Sequence, residues 1–150
     1  MTDFSGAWSR AEVERFLAET SVPIRLATNR PDESLWIVTL WFRYQDEGFE
    51  CATWADAAVV RYLRNDSEVG FDVSTNEPPY RGVRGTGTAS ISRDEGKQTL
   101  RALLERYLGG TESDLARWLL DDEREEVRIH LHPQKIYSWD YSERMATVVD

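Results

Sequence analysis

Residues 78–89 read Pro78-Pro79-Tyr80-Arg81-Gly82-Val83-Arg84-Gly85-Thr86-Gly87-Thr88-Ala89. They follow a strand-like run, Val69–Val73, across a short polar break. Two arginines stand among three glycines. Glycines inside a strand let another backbone or a flat ligand approach closely, and arginines beside them supply fixed donors for phosphate or carboxylate. The segment fits a surface that meets an anionic ligand or a partner chain. It equally fits a bulged strand with solvated arginines. The glycine order is G-x-x-G-x-G and lies within a strand-like run. A dinucleotide turn needs G-x-G-x-x-G between a strand and a helix, so that reading is rejected.

Outward from this segment, the chain reads as one unit over residues 1–150. Its length suits a single domain with a real core. A hydrophobic fraction of 41% with six tryptophans argues against disorder. A net charge of −9 argues against generic nucleic-acid binding. No apolar run approaches the ~20 residues of a membrane span. The first residues lack a basic-then-apolar signal pattern, so a cytoplasmic protein is expected. Cys51 is the single cysteine, which excludes an intrachain disulfide. Its strand-like setting predicts a buried, inert thiol.

Ser9 opens S-R-A-E, a capping box with Glu12 at the head of a helix carrying Val13, Phe16 and Leu17. Strands are expected at Ile24–Thr28, Trp36–Tyr44, Phe49–Thr53, Val69–Val73, Tyr80–Ser92, Val127–His132 and Lys135–Tyr141. Both faces of Trp36–Tyr44 are largely apolar, which predicts cover on both sides. Helices are expected at Ala55–Arg64, after a second capping box from Ser92 to Glu95, and over about Glu112–Leu120. Gly109 suits a helix C-terminus. Asp121–Glu126 reads as a solvated connection. His130 and His132 share one strand face. With no third ligand nearby in sequence they are read as strand-surface residues, and no metal is assigned. Hairpins and short connections favour an α+β fold: an antiparallel, six- to seven-stranded sheet or small barrel with flanking helices.

This order, with its punctuating residues, resembles the pyridoxamine-phosphate-oxidase-like flavin-binding split barrels over roughly residues 13–141. Ile24-Arg-Leu-Ala-Thr28 resembles the family's first strand. Trp36–Tyr44 resembles the second, whose edge faces the isoalloxazine ring. Ala58–Val69 is similar to the helix and next strand start. Arg81–Ala89 resembles the R-x-V-R-x-x-G-x-A strand, and Ile136–Asp140 the last barrel strand. The resemblance implies a split β-barrel, FMN or a deazaflavin as cofactor, and a homodimer with the cofactor at its interface. Val38, Thr39, Leu40 and Trp41 become candidates for ring contacts through the strand backbone. Thr53 and Trp54 become candidates near the ribityl phosphate. Arg81 and Arg84 are candidates for phosphate or the dimer partner, and Trp139 for a wall on the ring. Core packing competes for the apolar residues, and a surface or dimer ion pair for the arginines.

Three departures stand out. Many members carry a phosphate-binding lysine where Ala58 and Val59 stand here. Thr39 replaces a common proline, and the proline expected near Ser67 is absent. Losing the lysine removes a charge-assisted contact of ~1.5–3 kcal/mol. Arg61, Arg64, Arg81 and Arg84 are the candidates to replace it. The implied function is hydride transfer between the flavin and a small substrate, with no side-chain catalytic set required. A non-catalytic flavin- or haem-binding protein on the same fold is the alternative.

Overall fold

The run Trp36–Tyr44 does not form one strand. In the computed structural model, which describes residues 1–146, it divides between the two edges of a single sheet. Strand β1 (Asp3–Gly6) and helix α1 (Arg10–Glu19) come first, then β2 (Ile24–Asn29), β3 (Leu35–Leu40), β4 (Arg43–Gln45) and β5 (Gly48–Trp54). Helix α2 (Ala58–Asn65) leads into β6 (Glu68–Ser74) and β7 (Arg81–Arg93). Helices α3 (Gln98–Leu108) and α4 (Asp114–Leu119), β8 (Glu126–Asp140) and α5 (Ser142–Met145) complete the described chain. The sheet runs β3-β2-β6-β7-β8-β5-β4, antiparallel throughout, with β1 added parallel to β8. Only Trp41 and Phe42 join β3 at one edge to β4 at the other. A strand that bends here lets one chain line both sides of the barrel's split.

The α+β split-barrel expectation holds, with eight strands in place of six or seven. The extra strand is β1, which is too short and polar to carry a period. Val127–His132 and Lys135–Tyr141 merge into β8, with Pro133 opposite a register shift at Thr86/Gly87. A proline is tolerated there because the bulge removes the need for its missing N–H. The second capping box does not form. Asp94 caps α3 instead, its carboxylate accepting from the Thr99 and Leu100 amides at 2.9 and 3.0 Å. The Ser9–Glu12 box forms as read, and Gly109 ends α3 in the left-handed region at φ 74°.

Alternation sets the core. Ile24 and Leu26 of β2, Val69, Phe71 and Val73 of β6, and Ile129 and Leu131 of β8 point inward with Cys51 and Phe49. Phe49 sits amid Phe42, Tyr44 and Phe71, at centroid distances of 5.6, 5.3 and 4.9 Å. At Gly85 a side chain has no room, since a Cβ would overlap the Lys135 carbonyl and lie 2.7 Å from Phe71 Cζ. A second cluster, Leu100, Leu104 and Ala116 with Trp41, Ala52, Leu119 and Leu120, joins α3 and α4 to the seam end of the sheet. Within the single chain β3 is covered on one face only. Trp36, Val38 and Leu40 pack on the core, whereas Leu35 and Ile37 are 76% and 67% exposed. Among the described residues no helix is long and apolar enough to cross a membrane.

Candidate functional site

Where β3 runs out, Trp41 turns off the sheet and stacks on Tyr107 of α3, centroids 5.2 Å apart and planes 7° from parallel. The Tyr107 hydroxyl accepts from the Phe42 amide and donates to the Val22 carbonyl, each at 3.3 Å. These contacts fix the bend and hold the seam open beside β5. The resulting cleft of about 360 Å³ is lined by Thr39, Leu40 and Trp41 on one side and Ala52 and Thr53 on the other. Leu100 and Leu103 of α3 and Leu115 and Leu119 of α4 add apolar walls. The volume lies at the small end of the range for ligand sites. β3 is an edge strand, so its outer backbone N–H and C=O groups have no strand partner among the described residues.

Two charged groups also line the cleft, Arg124 and Glu126. Arg124 Nε donates to Glu126 Oε1 at 3.1 Å, and Nη2 lies at the same distance from that oxygen. The guanidinium also sits 4.6 Å from the centre of the Trp118 ring. Glu126 is 3% exposed. Burial pushes its carboxyl above the ordinary range, against the opposing pull of Arg124 and Lys97. Both residues lie in the stretch expected to be a solvated connection. A usable signal existed: Glu126 falls out of phase with the apolar alternation Val127, Ile129, Leu131. It therefore belongs to the other face of the strand.

The expected site residues separate. Thr39, Leu40, Trp41 and Thr53 converge on the cleft. Val38 points into the core. Trp54 ends β5 opposite Glu126, 45% exposed and outside the cleft lining. Arg81 and Arg84 are three apart in one strand and so face opposite ways, and neither lines the cleft. Arg81 pairs opposite Asp140. Arg84 lies over the Tyr137 ring, 4.7 Å from its centre. Trp139 sits opposite Gly82 and against Tyr141, its indole N–H buried without a hydrogen-bond partner among the described residues. Arg61 bonds the Asp56 carbonyl at 2.9 Å.

On the outer sheet face a shallow, largely apolar depression of about 620 Å³ runs over Ala27, Ile37, Gly70 and Tyr137, rimmed by Arg25 and Arg84. Further along, Glu50 is buried between Arg43 at 3.0 Å and Arg128 at 3.1 Å. His130 Nδ1 is 3.9 Å from the same carboxylate, and its ring lies 4.2 Å from that of His132. The two histidines do share a face, but His130 is 7% exposed and not a surface residue. Burial first, then His132 and Arg128, hold it below the ordinary histidine range.

No family model and no curated protein matches the sequence. Solved structures do match the fold. A conserved hypothetical protein from Mycobacterium tuberculosis superposes at a TM-score of 0.76 and 22% identity, over 93% of this chain and 89% of that one. An F420 reductase matches at 0.66 and 23%, over 80% and 92%. A protein from Listeria innocua, provisionally named a pyridoxamine 5'-phosphate oxidase, matches at 0.65 and 14%, over 85% and 95%.

Proposed function

Given the pyridoxamine 5'-phosphate oxidase-like split-barrel fold of this chain, we propose that it is a flavin-binding oxidoreductase. In this reading the cofactor is FMN, and the chain works as a homodimer with the cofactor at the interface. The observation that carries the reading is the seam cleft, where an unpaired strand edge and apolar walls face each other across Trp41 and Thr53. A planar ring with a polar rim needs those two things together, apolar faces and backbone donors and acceptors along one edge. Leu40, Leu103 and Leu119 would exclude water from the ring, Trp41 would wall it, and the β3 edge would orient it. When bound, a flavin supplies the hydride chemistry itself. Arg124 is the one basic group in the cleft lining available to an anionic tail, since the phosphate lysine is missing.

The outer face supports the homodimer. Leu35, Ile37 and Tyr137 are exposed there, beside Arg25 and Arg84 and the acidic Asp72. A two-fold contact pairs a patch with itself, so a patch carrying both charge signs can satisfy itself.

Binding without turnover is the second reading. It is favoured because, among the described residues, the lining holds no histidine, lysine or cysteine, and its single arginine is paired with Glu126. A visible absorption spectrum of the purified protein, before and after adding FMN and removing the excess, tests the main reading. Retained flavin bands support it; a colourless protein that keeps no FMN overturns it. Oxidation of a reduced nicotinamide or deazaflavin faster than free flavin achieves then separates enzyme from binder.

A further inference from the structure

Two cavities meet at one ion pair. The seam cleft and a charged groove of about 480 Å³ that includes Arg93, Lys97 and Arg101 both have Arg124 and Glu126 in their walls. The pair is unequal. Glu126 has a side chain only 1% exposed, and Arg124 bonds it through a single oxygen. Arg124 is 22% exposed and rides on Trp118, itself 60% exposed. Its backbone is anchored in a turn, with the Arg124 amide donating to the Asp121 carbonyl at 3.0 Å. The guanidinium is thus the movable partner and the carboxylate the fixed one.

Resting on the flavin reading, we propose that Arg124 anchors the anionic group of the cleft's ligand and that Glu126 is a built-in counter-ion which takes up a proton when the ligand displaces it. An incoming phosphate offers the guanidinium fork a second acceptor with more negative charge. A carboxylate stripped of its arginine in a buried position is costly to keep ionised and is neutralised instead. The proton comes from solvent, and the only bond formed is the O–H of Glu126. The remaining neighbours do not prevent this. Lys97 opposes protonation and Asp94 favours it. Lys97 Nζ is committed to the Asp121 carbonyl, and Asp94 to the α3 amides. Arg93 and Arg101 line the groove beyond with Asp122, Glu123 and Glu125, Arg93 lying 4.0 Å from Glu95 and Arg101 donating to the Gly96 carbonyl at 3.3 Å. An empty cleft therefore stores its anion receptor in a neutral pair, which suits a net charge of −9 and holds the site closed to weak anions.

The test is calorimetric titration of the whole protein with FMN and with riboflavin, each in two buffers of different ionisation enthalpy. A pH of about 8 keeps the FMN phosphate, with its second ionisation near 6, fully charged. The expected result is net proton uptake on binding FMN, none with riboflavin, and none with FMN in Glu126→Gln. Arg124→Ala should weaken FMN by roughly tenfold or more while leaving riboflavin nearly unchanged. FMN binding with no proton uptake, or equal uptake with riboflavin, overturns the linkage and leaves the flavin reading standing. Failure of both flavins to bind overturns the two together. Should Glu126→Gln not fold, the comparison of riboflavin with FMN in the natural protein still decides the matter.

Discussion

Trp41 and Tyr107 stack nearly parallel, 5.2 Å between centroids, and so tie the strand-to-strand bend to helix α3. The contact sits behind the cleft and sets its width. A double-mutant cycle between Trp41→Ala and Tyr107→Ala, read by urea denaturation, should return a coupling of about 0.5–1.5 kcal/mol. Tyr107→Phe keeps the stack and loses only the hydroxyl bonds to Phe42 and Val22, so it should cost less than either truncation. Additive single mutants would mean that the stack does not fix the bend.

Arg106 holds helix α1 from across the fold. Its Nη2 donates to the Leu17 and Thr20 carbonyls at 2.7 Å each, and Nη1 to the Ala18 carbonyl at 3.1 Å. These are the unpaired carbonyls of a helix C-terminus, where a cation is also favoured by the dipole. Arg106→Met should lower stability by roughly 2–4 kcal/mol. Arg106→Lys should recover only part of that, because one ammonium cannot reproduce the fork.

The outer face should reveal itself through assembly. Ile37→Asp places a charge in an exposed apolar depression and leaves the inward Val38 and Trp36 untouched. Light scattering should show a monomer with the circular dichroism of the parent. Arg84→Ala should weaken the proposed dimer also, since Arg84 lies on this face and outside the cleft. A dimer unaffected by Ile37→Asp would place the partner elsewhere.

Stability should fall on mild acidification. The folded His130 is held below its ordinary value, first by burial, then by His132 and Arg128. The unfolded chain therefore binds the proton better. The stabilisation is complete above the unfolded value of about 6.5 and is lost as pH falls from there through the lower folded value. Denaturant midpoints between pH 7.5 and 5.5 should drop in the natural protein, and the slope should flatten in His130→Gln. A slope unchanged by that substitution would assign the effect to another group.

Cys51 should resist thiol reagents in the native state. It is fully buried and its thiol is pushed up to about 12, by burial first and then by Glu50. Labelling should appear only with denaturant, at the rate of global unfolding.

Much of this molecule is written in local pattern. The strand alternation at Ile24–Thr28 and Val69–Val73, the Ser9–Glu12 cap and the Gly109 stop act between residues a few positions apart, and each is found, the first strand running a residue longer and the second a residue longer at each end. The order of elements was enough to indicate an antiparallel α+β sheet or small barrel, and the family resemblance implied its split form. What the pattern could not hold was any relation between distant segments. Trp36–Tyr44 looks like one strand because β propensity is continuous through Trp41, yet Tyr107 and the Val22 carbonyl pull the chain round at that point. Arg81 and Arg84 read as candidates for the same phosphate or dimer contact because they are neighbours in sequence, and pleating sends them to opposite faces. Arg124 and Glu126 look solvated because their neighbours are charged. Their burial is decided by α3, α4 and β5 closing over them, and β5 ends at Trp54, far from either residue in sequence. Local periodicity determines which residues form strands and helices; only the tertiary structure decides which strand ends meet, and the cleft lies where they do.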